Sequence, residues 1–447
     1  MSSSEKKIYI ETYGCQMNVA DSELIASVLT GNNYELTAEI KDADVILINT
    51  CSIRDNAEQR IYKRINELQH LRKNNSGLKI GIIGCMAERV GDLLFEKEGN
   101  INFLAGPDSY RNISSIIEQS SNERVTDILL SNTETYEDIL PGKHLEDGIT
   151  AFVPIMRGCE NFCTYCVVPF TRGKERSRPP WSIEEEIELH SKNNVFEITL
   201  LGQNVNSYSF EQTDFPDLLK NLAEKFSNLR FRFATSHPKD LSDKLIDVIA
   251  SHPNICKSIH LPMQSGSSEI LKRMNRKYTR EWYLERVAAI MKRMPECTIS
   301  TDIIAGFCGE TEQDHQQTLS AMKEAGFFHA FMFKYSERPG TAAAKVLNDD
   351  VPEEVKTKRL TEIINLQQEI SYKHNENDVG KTFEVMIEGT SKRNKDELMG
   401  RTSQNKVVVF PGNIGTSPPG TIVKVQISNV TSATLRGESE VVGSAKA

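Results

Sequence analysis

Between Lys7 and Gly106, short apolar runs alternate with stretches in which apolar residues recur every three or four positions. The runs 8–13, 45–48, 79–83 and 101–104 have strand length. Between them Leu24, Ile25, Val28 and Leu29, then Ile61, Ile65 and Leu68, have helical spacing, with Gly31 and Gly77 as stops. Strands alternating with helices predict a doubly wound parallel-sheet domain over 6–123. The stretch 124–148 carries Asp127, Glu134, Glu137, Asp138, Glu146 and Asp147 around Pro141-Gly142, and reads as an acidic linker or covering segment without chemistry of its own.

Six further runs follow, at 150–155, 197–201, 230–235, 257–261, 297–305 and 328–335, separated by helical patterns such as 182–192 and 279–294. Six strand–helix units over 149–375 predict a partial (β/α)6 barrel, with its site at the carboxyl ends of the strands. A helix at 360–372 leaves the barrel and 375–380 serves as a connector. From 378 to 442 the pattern becomes all-β, with strands at 382–387, 407–410, 421–427 and 434–437 and a Pro418-Pro419-Gly420 turn. The expected whole is an α/β protein of three domains, the last a small antiparallel β-barrel.

Composition changes this picture little: 447 residues at 38% hydrophobic content suffice for two or three ordinary cores. The polar stretch 1–7 runs straight into the first strand and no apolar run reaches membrane-spanning length, so a soluble cytoplasmic protein without membrane contact is expected. The net charge of -9 argues against general coating of nucleic acid. Residues 381–446, however, carry nine Lys/Arg against six Asp/Glu, and a small basic barrel is a common RNA-binding form. Two other stretches are basic, Arg172, Lys174, Arg176 and Arg178, and Lys272, Arg273, Arg276, Lys277 and Arg280; their places beside strand-end loops predict phosphate contact rather than a merely solvated face.

Nine cysteines in such a chain favour metal ligation and buried thiols over disulfides. Cys159, Cys163 and Cys166 share one loop, with three and then two residues between them. A structural zinc site would need a further ligand pair, and His190, the nearest histidine downstream, stands alone. Three thiolates on three irons of a 4Fe-4S cluster, with the fourth iron open, suit the spacing better. Cys15, Cys51 and Cys85 each fall just past a predicted strand, where a parallel sheet opens its ligand crevice. Either they are separate small buried residues or they hold a second cluster; their common phase favours the cluster, and Gly14 and Gly84 beside them would allow close backbone approach. Cys256, Cys297 and Cys308 share no phase and are expected to be structural. His237 and His260 suit a site or a satisfied interior equally well.

The 159–166 loop, with Tyr165 just before its last cysteine, resembles the fingerprint of the radical S-adenosylmethionine superfamily. The resemblance implies that the open iron chelates S-adenosylmethionine and cleaves it reductively. It also implies that strand-end residues, here Gly202, Gln203, Ser236, Gln264 and Gly306, line that molecule's pocket. The whole chain resembles the methylthiotransferases of that superfamily, and the last domain their TRAM domain. Thr12-Tyr13-Gly14-Cys15-Gln16-Met17-Asn18 with Asp21-Ser22-Glu23, and Asn49-Thr50-Cys51-Ser52-Ile53-Arg54 with Ala57-Glu58, are similar to the tRNA-modifying members. That implies two 4Fe-4S clusters, S-adenosylmethionine as both methyl donor and radical source, and a methylthio group placed on carbon 2 of N6-isopentenyladenosine at tRNA position 37. An electron donor and a sulfur source are implied as partners, and a monomer is expected. The alternatives are the same chemistry on a ribosomal protein, or a non-catalytic iron–sulfur RNA-binding or electron-transfer protein. An open iron argues against the last.

Overall fold

The computed structural model describes residues 5–51, 55–72, 75–91, 93–141 and 148–439. Ser52, Ile53, Arg54, Gly142, Glu146 and Asp147 therefore lie outside the described residues, as do the side chains of Ala57 and Glu58. The first domain is a six-stranded parallel sheet. Its strands are β1 (Lys6–Tyr13), β2 (Tyr34–Leu36), β3 (Val45–Thr50), β4 (Lys79–Gly84), β5 (Phe103–Ala105) and β6 (Val125–Asp127), in the order β2-β1-β3-β4-β5-β6. Period-two alternation divides the side chains between two faces. Val45 and Leu47 pack with Leu24, Ile25 and Leu29 of α1 (Gln16–Thr30), whereas Ile46 and Ile48 pack with Ile61, Ile65 and Leu68 of α2 (Asp55–Arg72). The sixth strand comes from the acidic segment expected to be a linker, and Tyr136 of the same segment is buried in the first of these cores.

Six parallel strands make the central domain: β7 (Thr150–Pro154), β8 (Glu197–Leu201), β9 (Arg230–Phe233), β10 (Ser258–His260), β11 (Thr298–Ala305) and β12 (His329–Lys334). They form two three-stranded sheets, β9-β8-β7 and β10-β11-β12, joined by one parallel bridge between Phe231 and Ile255. Ile198, Leu200, Phe231, Phe233, Ile259, Ile299 and Ile303 face the helices and form a single core with them. The opposite face lines the lumen of an open barrel.

The C-terminal barrel is closed, with strands β13 (Thr382–Thr390), β14 (Glu397–Thr402), β15 (Val407–Pro411), β16 (Ile422–Val430) and β17 (Leu435–Ser439). β14 was not expected from sequence: Leu398, Gly400 and Thr402 alternate inward, but glycine and threonine there weaken the apolar signal. Four pairings are antiparallel and the closing pair, β15 with β17, is parallel. This barrel docks on the amino ends of the central strands through main-chain oxygens. Arg230 donates to the carbonyl of Arg401, Arg232 to those of Thr402 and Ser403, and Thr298 to that of Gln404. The docking therefore lies at the end of the barrel remote from the strand carboxyl ends. Among the described residues no helix is long and apolar enough to cross a membrane.

Candidate functional site

β1, β3 and β4 are neighbours in the sheet, so their carboxyl ends bring Cys15, Cys51 and Cys85 together although 36 and 34 positions separate them in sequence. Cys15 caps α1, Cys51 follows β3 directly, and Cys85 opens α3 (Cys85–Val90). A buried amide network sets the two strand ends: Asn18 donates to Asn49 Oδ1 at 3.0 Å and to the Thr50 carbonyl, while Asn49 donates to the Asn18 carbonyl and to Ser22. Gly14 and Gly84 have no room for a side chain. A Cβ on Gly14 would sit 2.9 Å from Cys51 Cβ, and Gly84, at φ +88°, would drive one to 2.7 Å from the Thr50 carbonyl.

The three thiols share a cavity of about 170 Å³, and Gly202, Gln203 and Arg172 of the central domain complete its lining. The crevice of the first domain thus opens onto the carboxyl ends of the barrel strands. A hydrogen bond with Cys51 pulls the Cys15 thiol down to about 6 against the desolvation that works the other way, with the Arg172 charge adding to the effect. Burial pushes the Cys85 thiol up against the same arginine. Among the described residues no group of three or more His, Cys, Asp or Glu side chains is arranged to hold a single metal ion. Thiols ringing a cavity suit a multi-iron group, whose metal atoms reach outward to them.

Cys159, Cys163 and Cys166 follow β7 on a loop pinned to the segment after Ile270: Thr164 N–H donates to the Met274 carbonyl, and the Asn275 amide donates to that of Phe162. Each sulfur accepts one donor, from Asn161 at 3.4 Å, Arg276 at 3.4 Å and the Val168 N–H at 3.5 Å respectively. Burial raises the Cys159 thiol and pushes Cys166 up to about 12, with repulsion from Cys163 adding to it. Iron bound there would supply the positive charge that offsets the burial of Cys159 and Cys166.

The other expected site residues fall at the same end of the barrel, in different circumstances. Gln203 accepts the Gly158 N–H at 2.5 Å and so steadies the start of the loop, while Gly202 packs on Met156. Tyr165 packs edge-on to Phe307, at 6.3 Å between ring centres. Ser236 and His237 are both buried, and neither Ser236 Oγ nor His237 Nε2 has a partner among the described residues. Gln264, at φ +68°, is held by backbone bonds with Asp302 and Ile304. Gly306 is enclosed in a turn, its N–H given to Glu310 and its Cα covered by Lys356. His260 lies on the lumen face, 3.0 Å from Ser300 Oγ and 3.5 Å from Asp302. Cys256, Cys297 and Cys308 are buried and none lines the cavity.

The expectation of phosphate contact needs correcting. Arg172, Arg176, Arg178 and Arg276 are all buried: Arg172 pairs with Asp21, Arg176 with Asp108, and Arg178 with Glu186, while Arg276 turns toward Cys163. Their places beside strand-end loops suggested phosphate contact, whereas Arg172, Arg176 and Arg178 are each matched to a carboxylate inside the fold, brought from far along the chain for Asp21 and Asp108 and from eight residues on for Glu186. Of those two stretches, Lys174, Lys272, Arg273 and Lys277 remain exposed. Sequence reasoning also assigned no role to Asp21, which is fully buried and bonded to both Arg157 and Arg172 at 2.8 and 2.7 Å. Its place one helical turn past Asn18 was the available signal.

Residues 7–106 match the uncharacterized protein family UPF0004, 153–322 the radical SAM superfamily, and 376–439 the TRAM domain. A tRNA-2-methylthio-N(6)-dimethylallyladenosine synthase from Phocaeicola vulgatus is 54% identical over 442 residues, covering 98% of this chain and 96% of the relative. Enzymes of the same name from Bacteroides thetaiotaomicron and Porphyromonas gingivalis are 53% and 52% identical, each over 97% of this chain and 96% and 95% of the relative. Among solved structures, the radical S-adenosylmethionine methyltransferase TsrM from Kitasatospora setae superposes with a TM-score of 0.59 at 12% identity, over 76% of this chain and 75% of that one. The cobalamin-dependent enzyme OxsB superposes at 0.51 and 10% identity, over 81% and 56% of the two chains. Those two likenesses speak to the fold. With half its residues shared with these relatives from end to end, the chain belongs to the tRNA-2-methylthio-N6-dimethylallyladenosine synthase family of radical S-adenosylmethionine enzymes.

Proposed function

We propose that this protein replaces the hydrogen on carbon 2 of N6-isopentenyladenosine, at position 37 of a tRNA, with a methylthio group. Cys159, Cys163 and Cys166 hold one 4Fe-4S cluster and Cys15, Cys51 and Cys85 a second. When bound, these groups and S-adenosylmethionine supply the electron, the methyl group and the radical that a carbon–hydrogen bond too weakly acidic for base catalysis requires. An electron donor and a sulfur source complete the reaction in the cytoplasm. The observation that carries the reading is the convergence of Cys15, Cys51 and Cys85 on a cavity that Gly202 and Gln203 of the barrel also line.

The chain's own residues then have distinct tasks. Arg276 holds the Cys163 sulfur from behind, and Gln203 holds the backbone from which the radical loop departs. The lumen face of β10, β11 and β12, bearing His260, Asp302, His329 and Phe331, receives the adenine flipped from the anticodon loop, which an unpaired loop releases more readily than a duplex would. The C-terminal barrel, docked at the amino ends of the central strands, grips the RNA backbone with cations such as Lys392, Arg393 and Lys395, all exposed on the loop before β14. The test is reconstituted protein with prenylated tRNA, S-adenosylmethionine and a reductant, followed by mass spectrometry of the nucleosides. A 2-methylthio nucleoside is the expected product; methylthiolation of a ribosomal protein instead overturns the reading.

A further inference from the structure

Arg172 follows the radical loop in sequence, yet its guanidinium enters the three-thiol cavity of the other domain. Each of its nitrogens has a different circumstance. Nε donates to Cys85 Sγ at 3.2 Å, Nη2 is paired with Asp21 at 2.7 Å, and Nη1 has no partner among the described residues although it is buried. The side chain is 4% exposed, and the Asp21 carboxylate opposite is fully enclosed. Leaving one donor of a buried guanidinium unmatched is costly, and such a donor beside a cavity is where an anion is ordinarily received. Asp21 makes the placement rigid. It lies on the helix that Cys15 caps, and it also pairs with Arg157, two residues before Cys159. Arg157 contributes a second positive charge, but its hydrogen bond goes to Asp21 and to none of the six thiols.

The geometry points to Arg172 as a positioning residue for the site of Cys15, Cys51 and Cys85, where its Nε tunes the Cys85 sulfur and its Nη1 holds a sulfur anion of the hydrosulfide class in the cavity. This rests on the reading that those three cysteines hold a second cluster with one open iron. Two chemical consequences follow. A cation donating to a cluster thiolate favours the reduced, more negative state, so the cluster's potential is set higher than it would be without Arg172. And the anion would be held by a donor of the protein itself, Arg172 Nη1.

The test uses full-length protein carrying Cys159→Ala, Cys163→Ala and Cys166→Ala, so that iron is read from the second site alone. The probe is sodium sulfide, followed through the electron paramagnetic resonance of the reduced cluster, with the midpoint potential measured in parallel. Arg172→Gln is expected to require about tenfold more sulfide or greater for the same spectral change, and to move the potential to more negative values. Arg172→Lys, which keeps the charge but cannot serve Cys85 and Asp21 together, should fall between. Arg157→Gln, which also strips a partner from Asp21, should titrate like its parent. The proposal is overturned if Arg172→Gln with an intact cluster responds at the parent's sulfide concentration, or if Arg157→Gln shifts as far as Arg172→Gln. Should the Gln variant fail to fold, a Lys variant indistinguishable from the parent overturns it equally. A parent that takes up no iron would instead reject the second cluster itself, and the proposal with it.

Discussion

Arg276 Nη1 lies 3.4 Å from Cys163 Sγ, and the same guanidinium donates through Nε to the Tyr278 hydroxyl and through Nη2 to the Pro262 carbonyl. The arginine comes from the segment that pins the radical loop, so one buried side chain both orients the Cys163 sulfur and ties the loop to the barrel. Arg276→Lys cannot make all three bonds. Iron uptake at Cys159, Cys163 and Cys166, or the rate of S-adenosylmethionine cleavage, should fall about 10- to 100-fold, as for other outer partners of metal ligands. Measuring 5'-deoxyadenosine formed per bound iron separates the two effects, and an unchanged rate at full iron would remove Arg276 from the assignment.

The two cysteine sets should fail differently. Replacing Cys15, Cys51 and Cys85 with Ala should cost about half the reconstituted iron and all methylthio product, yet leave 5'-deoxyadenosine formation, because the ligands belong to separate domains. Replacing Cys159, Cys163 and Cys166 should abolish that cleavage. Iron analysis and product chromatography on both variants decide it.

His237 gives the stability a pH dependence. Burial, reinforced by the charge of Arg276, holds its imidazole down at about 2 against an ordinary 6.5. The folded protein therefore keeps His237 neutral while the unfolded chain binds a proton below about 6.5, so stability is complete above that pH and falls as the pH drops. The loss should approach about 1.4 kcal/mol per pH unit for this one group. Urea midpoints of wild type and His237→Gln between about pH 7.5 and 5.5 measure it: the slope attributable to His237 should vanish in the variant.

Selectivity for the prenylated base should reside in the lumen. Phe331 is 44% exposed there, with His329 and His260 edge-on to its ring at 4.8 and 5.8 Å. An apolar group on the substrate would cover that ring, so prenylated tRNA should be modified much faster than unprenylated tRNA. Phe331→Ala should weaken the hold on the base by about 1–3 kcal/mol, seen as a raised KM for the prenylated tRNA. Equal KM values in wild type and variant would place the base elsewhere.

Lys392, Arg393 and Lys395 should carry RNA affinity without carrying chemistry. Changing all three to Ala should lower the slope of log affinity against log salt by about 0.7–0.9 for each phosphate that is no longer neutralised. Cleavage of S-adenosylmethionine in the absence of RNA should be unaffected. Filter binding across a salt series reads the slope directly.

The sequence made most of the strands, the three-part organisation and the convergence of Cys15, Cys51 and Cys85 legible, because parallel-sheet topology turns a repeated strand-end position into spatial proximity. What it hid were partners from distant elements. Arg172 and Arg176 invite a phosphate until the fold brings Asp21 and Asp108 to them, and nothing local in the sequence announces those buried ion pairs. β6 was hidden in the same way: a three-residue strand in an acidic segment gains its identity only from the edge of β5 that it covers.

The docking of the C-terminal barrel on main-chain oxygens has an evolutionary side. Arg230, Arg232 and Thr298 take hold of carbonyls in residues 401–404, which every amino acid at those positions offers, while the bond from the Lys257 N–H to Ser403 Oγ at 2.9 Å needs the serine itself. The cationic loop at the other end of β14 stands about 20 Å away along a six-residue strand. If that loop grips RNA as proposed, attachment and RNA preference are uncoupled: substitutions in the loop would change the grip without touching the joint.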